Sequence, residues 1–114
     1  MSDDPFGIDD TSRTDVIKDE IIVREHGICC RCGNRAATDA HHRKLRSQGG
    51  LNTWDNQVGI CRTCHNSIHA NPALSYEWGW LVYSWDTPST VPITYHARGR
   101  VLLGTDATII EVTT

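Results

Sequence analysis

Apolar residues first recur with a helical spacing at Val16, Ile17, Ile21, Ile22 and Val23. The stripe predicts a helix over about 14–26. Ser12 or Thr14 would cap it, Asp15 would favour its first turn, and Gly27 would end it. Two short runs, 36–42 and 57–60, read as strands. Between them the chain is charged, then Ser47-Gln48-Gly49-Gly50, then broken by Asn52 and Asn56, which reads as a loop turning on the glycine pair. A second helix is expected from about Cys64, ending before Pro72, because the residue before a proline avoids the helical region. It would put His65 and His69 four residues apart on one face. Tyr76, Trp78, Trp80, Val82 and Tyr83 alternate with smaller or polar groups and predict a strand. Pro88 and Pro92 mark a loop. Val101-Leu102-Leu103 and 108–112 read as two strands joined by Gly104-Thr105-Asp106. The order points to an α+β fold: a flexible acidic tail over 1–12, a core over 13–75, and a β-rich C-terminal appendage over 76–114 packed on that core.

At 114 residues the chain is sized for one domain with a thin core. Its mean hydropathy of −0.40 and the lack of a long apolar run exclude a membrane-spanning helix. The polar, acidic start is no secretory signal, so a reducing cytoplasm is expected. In that setting clustered cysteines point to metal before disulfides.

The net charge of −3 argues against a nucleic-acid partner until its distribution is considered. Seven acidic residues lie within 1–20. Over 31–46, Arg31, Arg35, Arg43, Lys44 and Arg46 face only Asp39. Such a local positive patch suits a phosphate backbone, although a solvated loop would look the same.

Cys29-x-x-Cys32 and Cys61-x-x-Cys64 carry the strongest signal. Each pair lets two thiolates reach one ion from a tight turn, and two turns close a tetrahedron, the pattern of a structural Zn²⁺ with no open position. The fifth cysteine, Cys30, is expected to be a small filler. A second constellation gathers around these knuckles: His41, His42, Asn56, His65 and His69. His26 and His96 lie outside it and receive no role. Trp54 is expected to brace the core, and Trp78, Trp80 and Trp85 to pack within the appendage.

The run His41-His42, Gly49-Gly50, Asn56, Cys61-x-x-Cys64-His65-x-x-x-His69, opened by Cys29-x-x-Cys32, resembles the HNH endonucleases with a four-cysteine zinc site. The likeness covers about 27–70. It implies a small zinc-stapled ββα-metal fold within 13–75 and an activity, hydrolysis of DNA phosphodiester bonds by nicking or double-strand cleavage. His42 matches the general base that activates water. His41 stands where the family places a metal ligand, often aspartate. Asn56 would brace the loop and orient the base. His65 would be a ligand to the catalytic ion, and His69 a further one. Two or three imidazoles favour Zn²⁺, Ni²⁺ or Mn²⁺, while the family often uses Mg²⁺ or Mn²⁺. Arg43, Lys44 and Arg46, which follow the base, are the candidates for phosphate contact. The appendage also resembles compact bacteriophage HNH proteins. That likeness implies a role in DNA packaging with a large terminase, in the cytoplasm of a bacterial host.

Imidazole titrates near neutral pH and can take a proton from water. A flat strand, however, would turn His41 and His42 to opposite sides. The nuclease reading therefore needs the strand to end or bulge there. The rival reading is a non-catalytic zinc-binding adaptor for DNA or protein. The knuckles and basic patch serve it equally, but a poised base opposite a second metal site does not.

Overall fold

The computed structural model describes residues 15–112. The acidic tail and the proposed caps Ser12 and Thr14 lie outside the described residues. Eight elements follow in order: α1 Lys18–Arg24, β1 Asp39–His42, β2 Gln57–Ile60, α2 Arg62–Ala70, α3 Pro72–Trp78, β3 Ile93–Tyr95, β4 Gly99–Leu103 and β5 Ile109–Glu111. The result is a small α+β fold with three helices and two antiparallel sheets, β1-β2 and β3-β4-β5.

Helix α1 starts later than its apolar stripe. Ile17 is extended and takes the capping position. Its backbone N–H donates to Glu20 Oε1 at 3.2 Å, so the first turn is closed by a carboxylate reaching back. The helix ends as its glycine predicts: Gly27 has φ +78 and returns its N–H to Ile22 O at 2.9 Å.

The chain then pairs briefly with itself across the first knuckle, through a single bridge between Ile28 and Ala36. β1 runs antiparallel to β2, with His41 opposite Val58 and His42 opposite Gln57. Every residue of β2 is buried, because α1 covers one side of it and the knuckles the other. Helix α2 begins at Arg62, two residues before its expected start, because the knuckle supplies its cap. Cys61 Sγ accepts the orphan N–H of Cys64 at 3.4 Å.

The strand expected around 76–83 is instead the end of helix α3 followed by an irregular strap. Pro72 occupies the first turn, where its missing N–H costs nothing. Ser75 is buried and donates to Ile68 O at 3.0 Å and Asn71 O at 2.8 Å, fixing α3 against α2. Gly79 then reverses the chain at φ +85, and a Cβ there would lie 1.9 Å from Pro92 O. That reversal stacks Trp78 and Trp80 at 6.0 Å, which mimics in sequence the alternation of a strand. The three-stranded sheet is as expected for 101–103 and 108–112, with β3 as an added partner.

One apolar cluster joins the parts. It contains Cys29, Cys30, Cys61 and Cys64 with Val58, Ile60 and Ile68, and also Trp80, Leu81, Ile93, Tyr95, Val101 and Leu103. Each fully buried aliphatic side chain here contributes on the order of 1.5–3 kcal/mol. Polar ties cross the same interior. The Tyr95 hydroxyl donates to the buried Glu25 carboxylate at 2.9 and 3.0 Å, and Glu25 also takes Gly59 N–H at 2.9 Å. Among the described residues no helix is long and apolar enough to cross a membrane.

Candidate active site

The four knuckle cysteines converge. Their sulfurs lie within 4.8 Å of one another, and Cys32 and Cys61 are 4.0 Å apart. Backbone N–H groups point at the thiols: Cys32 N to Cys29 Sγ at 3.5 Å, and Asn34 N to Cys32 Sγ at 3.4 Å. Burial opposes thiolate formation, yet the Cys64 N–H and neighbouring thiols hold the Cys61 thiol down to about 7. Arg31 adds a cation. Its guanidinium donates to Cys64 Sγ at 3.3 Å and lies 4.3 Å from the centre of the Trp80 ring. Four sulfurs with donors aimed at them fit one tetrahedral Zn²⁺ and leave no position for a substrate. Cys30 is buried among apolar neighbours, and burial pushes its thiol well above the ordinary value.

A second cluster of side chains that could hold a metal ion lies on the facing surfaces of β1 and α2. Ring nitrogens of His41, His65 and His69 come within 4.8 Å of one another. The ring centroids are 5.1, 5.4 and 5.1 Å apart. The pattern arises simply: α2 places His65 and His69 one turn apart, and β1 points alternate residues, Asp39 and His41, toward them.

Hydrogen bonds fix the tautomers of two of these rings. His41 Nε2 lies 2.7 Å from Trp80 O, an obligate acceptor, so Nε2 carries the proton and Nδ1 keeps its lone pair. His65 Nδ1 donates to Asp39 Oδ2 at 2.8 Å, leaving Nε2 free. Such outer partners orient metal-binding imidazoles. Burial pushes His41 down to about 3, against the pull of the Trp80 carbonyl, so the ring is neutral at pH 7. Burial and the neighbouring His65 also lower His69. Burial would raise the Asp39 carboxyl, but the bonds from His65 and Thr38 and the charge of Arg62 hold it below its ordinary value. Three imidazoles with a ring nitrogen each within 4.8 Å of the others fit a divalent ion, and three ligands would leave coordination positions open.

His42 does not join that trio. His42 is the last residue of β1 and is still paired in register opposite Gln57, so its side chain leaves the strand on the side opposite to that of His41. The ring is half-buried, and Nε2 lies 2.7 Å from Asn52 Oδ1. Arg46 Nη1, which can only donate, also points at Asn52 Oδ1 at 3.3 Å, which identifies that atom as oxygen. His42 therefore donates from Nε2 to Asn52 Oδ1. The convergence comprises three imidazoles, and His42 is not among them.

Asn56 braces the loop but does not touch the base. It is buried, donates Nδ2 to Lys44 O and Leu51 O at 3.0 Å each, and accepts Lys44 N–H at 2.7 Å. The direct contact to His42 belongs to Asn52, which the sequence reading did not assign. Its only signal there is position, one asparagine in a loop with two. Gly50 lets the loop close: a Cβ would sit 1.8 Å from Lys44 O.

Arg43, grouped with Lys44 and Arg46 as a phosphate contact, is not at the surface. Its side chain has 0% exposure. Nε donates to Gly79 O at 2.9 Å, Nη1 to Asp55 O and Pro88 O at 3.0 Å each, and Nη2 to Val91 O at 2.7 Å. Four of the five guanidinium N–H groups thus meet backbone carbonyls. Lys44 is half-buried and Arg46 exposed, so these two remain accessible. Trp54 packs along α1, with Arg24 5.8 Å above its ring and donating to its carbonyl at 2.6 Å.

The HNH endonuclease family model matches residues 29–71, the stretch that holds the four clustered cysteines and the three clustered histidines. The chain is also similar to the type IV methyl-directed restriction enzyme EcoKMcrA of Escherichia coli (strain K12), 33% identical over 66 residues. The match takes in 50% of this chain and 24% of that relative, so the chain spans about a quarter of its length. No solved structure matches the chain.

Proposed function

We propose, with residues 29–71 as an HNH endonuclease segment, that this protein hydrolyses phosphodiester bonds of DNA with His42 as general base. The observation that carries the reading is the pairing of a braced, half-buried imidazole with three others arranged to share an ion. His42 Nδ1 takes the proton of an attacking water, and Asn52 keeps the ring from turning while it does so. His41 through Nδ1, His65 through Nε2 and His69 would hold a divalent ion. When bound, that ion supplies positive charge against the charge that builds on the phosphate. Zn²⁺, Ni²⁺ and Mn²⁺ suit an all-imidazole set better than Mg²⁺. Asp39 holds His65, and the Trp80 carbonyl holds His41. Lys44 and Arg46 are the cations placed to meet the DNA backbone.

Plasmid nicking with Mg²⁺, Mn²⁺, Ni²⁺ and Zn²⁺ tests the reading. His42→Ala should lower the rate by about 10²–10⁴-fold, the range for loss of a general base. A wild-type protein that binds DNA but cleaves with none of these ions would be the adaptor.

A further inference from the structure

The strap between Gly79 and Asp86 carries side chains that the imidazole cleft does not use. Tyr76 on α3 stacks on Tyr83, with ring centroids 4.1 Å apart and planes within 7°. Tyr83 stacks in turn on Trp85, at 4.7 Å and 5°. Three nearly parallel rings form a ladder, and its outer end is open: Trp85 is 76% exposed and Tyr83 42%. Packing, the role expected for Trp85, does not describe a ring in this position. A large apolar surface left in water marks a contact site more often than a core element.

The ladder is tied to the cleft through backbone bonds. Val82 N–H donates to Arg43 O at 2.9 Å, one residue past His42, and Trp80 O receives His41. Asp86 N–H closes a turn onto Tyr83 O at 3.0 Å between the two stacked residues. A nucleic acid with a phosphate at His42 would therefore run its neighbouring nucleotides past this strap. The ladder carries no charge of its own, while Lys44 and Arg46 stand on the loop that follows the base. Flat aromatic rings offer surfaces on which the free faces of unpaired bases stack. In a duplex those faces are already stacked on one another.

We propose that Tyr76, Tyr83 and Trp85 form a stacking platform for an unpaired nucleobase beside the cleaved linkage, which makes single-stranded or locally unpaired DNA the substrate class. The placement of the phosphate rests on the nuclease reading. The ladder itself does not.

The test is a binding measurement on the full chain carrying His42→Ala, which keeps substrate intact. Fluorescence anisotropy would compare a labelled 12-nucleotide oligo(dT) with a blunt duplex of equal length. Adding Trp85→Ala should weaken single-strand binding by about tenfold, in line with the loss of one stacked base. Trp85→Phe should stay within about twofold of the parent, because the phenyl ring still stacks. Duplex affinity should change by less than about twofold, since its bases offer no free face. Equal single-strand affinity with and without the indole, or an equal loss on the duplex, would overturn the platform and leave the ladder to a protein contact. If the wild type nicks nothing while Trp85→Ala still weakens single-strand binding, the nuclease reading falls and the platform stands.

Discussion

Asn52 shows how a single amide can decide which nitrogen of a neighbouring ring does the chemistry. Its oxygen accepts from His42 Nε2 and from Arg46, so in the proposed mechanism Nδ1 is the nitrogen that would act as base. Asn52→Ala should lower the nicking rate by about 10–100-fold through misplacement of the ring. Its melting temperature should stay close to that of the wild type, because the side chain is only half-buried at the loop surface. Asp39 plays the corresponding part for the ion. Asp39→Asn would weaken its grip on His65 and should reduce divalent-ion affinity at the three-histidine group by about 10–100-fold. Isothermal titration on protein that keeps its cysteine-bound zinc would read the change; an unaltered affinity would remove Asp39 as an orienting partner. At this scale the residue types were legible and their partners were not. Clustering around the cysteine knuckles singled out His41, His42, His65 and His69, and the resemblance to HNH endonucleases supplied their roles. Whether Asn52 or Asn56 reaches His42 depends on the path of the 43–56 loop, which no periodicity encodes.

Among the elements, β1 and the strap after α3 depend on each other. Arg43, the residue just past β1, sends its side chain under the strap and binds carbonyls of Gly79, Pro88 and Val91 as well as Asp55. Burial draws its pKa down to about 10, so it remains a cation at neutral pH, held by dipoles on all sides. Arg43→Ala would leave buried carbonyls without donors and should cost roughly 3 kcal/mol or more in denaturant unfolding. Arg43→Lys should fare little better, because an ammonium cannot copy the fork. A variant of wild-type stability with weaker DNA binding would return Arg43 to the surface role suggested by its sequence neighbours. The helices and strands around the knuckles were legible because cysteine spacing and short apolar runs point the same way. Helix α3 was not. Its end at Gly79 brings Trp78 and Trp80 together, so their spacing of two arises from a chain reversal that a linear pattern cannot distinguish from a strand.

The molecule as a whole is organised around its sulfur cluster. Cys29, Cys30, Cys61 and Cys64 share one buried cluster with Ile93, Val101 and Leu103, so the knuckles and the three-stranded sheet have a common interior. Binding of a structural zinc provides on the order of 10 kcal/mol that is also folding energy. Chelation should therefore unfold the chain, including β3–β5, in one transition by circular dichroism. A sheet that survived zinc removal would show that it holds itself together. The general α+β architecture was readable because metal spacing constrains so short a chain. The joint interior was not, since ties such as Tyr95 to Glu25 span 70 positions.

The carbonyl cage around Arg43 bears on how such a protein can diverge. A lineage that exchanged the 79–91 strap for another loop would have to supply acceptors at matching points, or replace the arginine in the same step. Recombination at α3 would strand a cation inside the protein, one residue from His42. Variation is thus channelled to the exposed rings of the strap, which can change while the path of the backbone stays fixed.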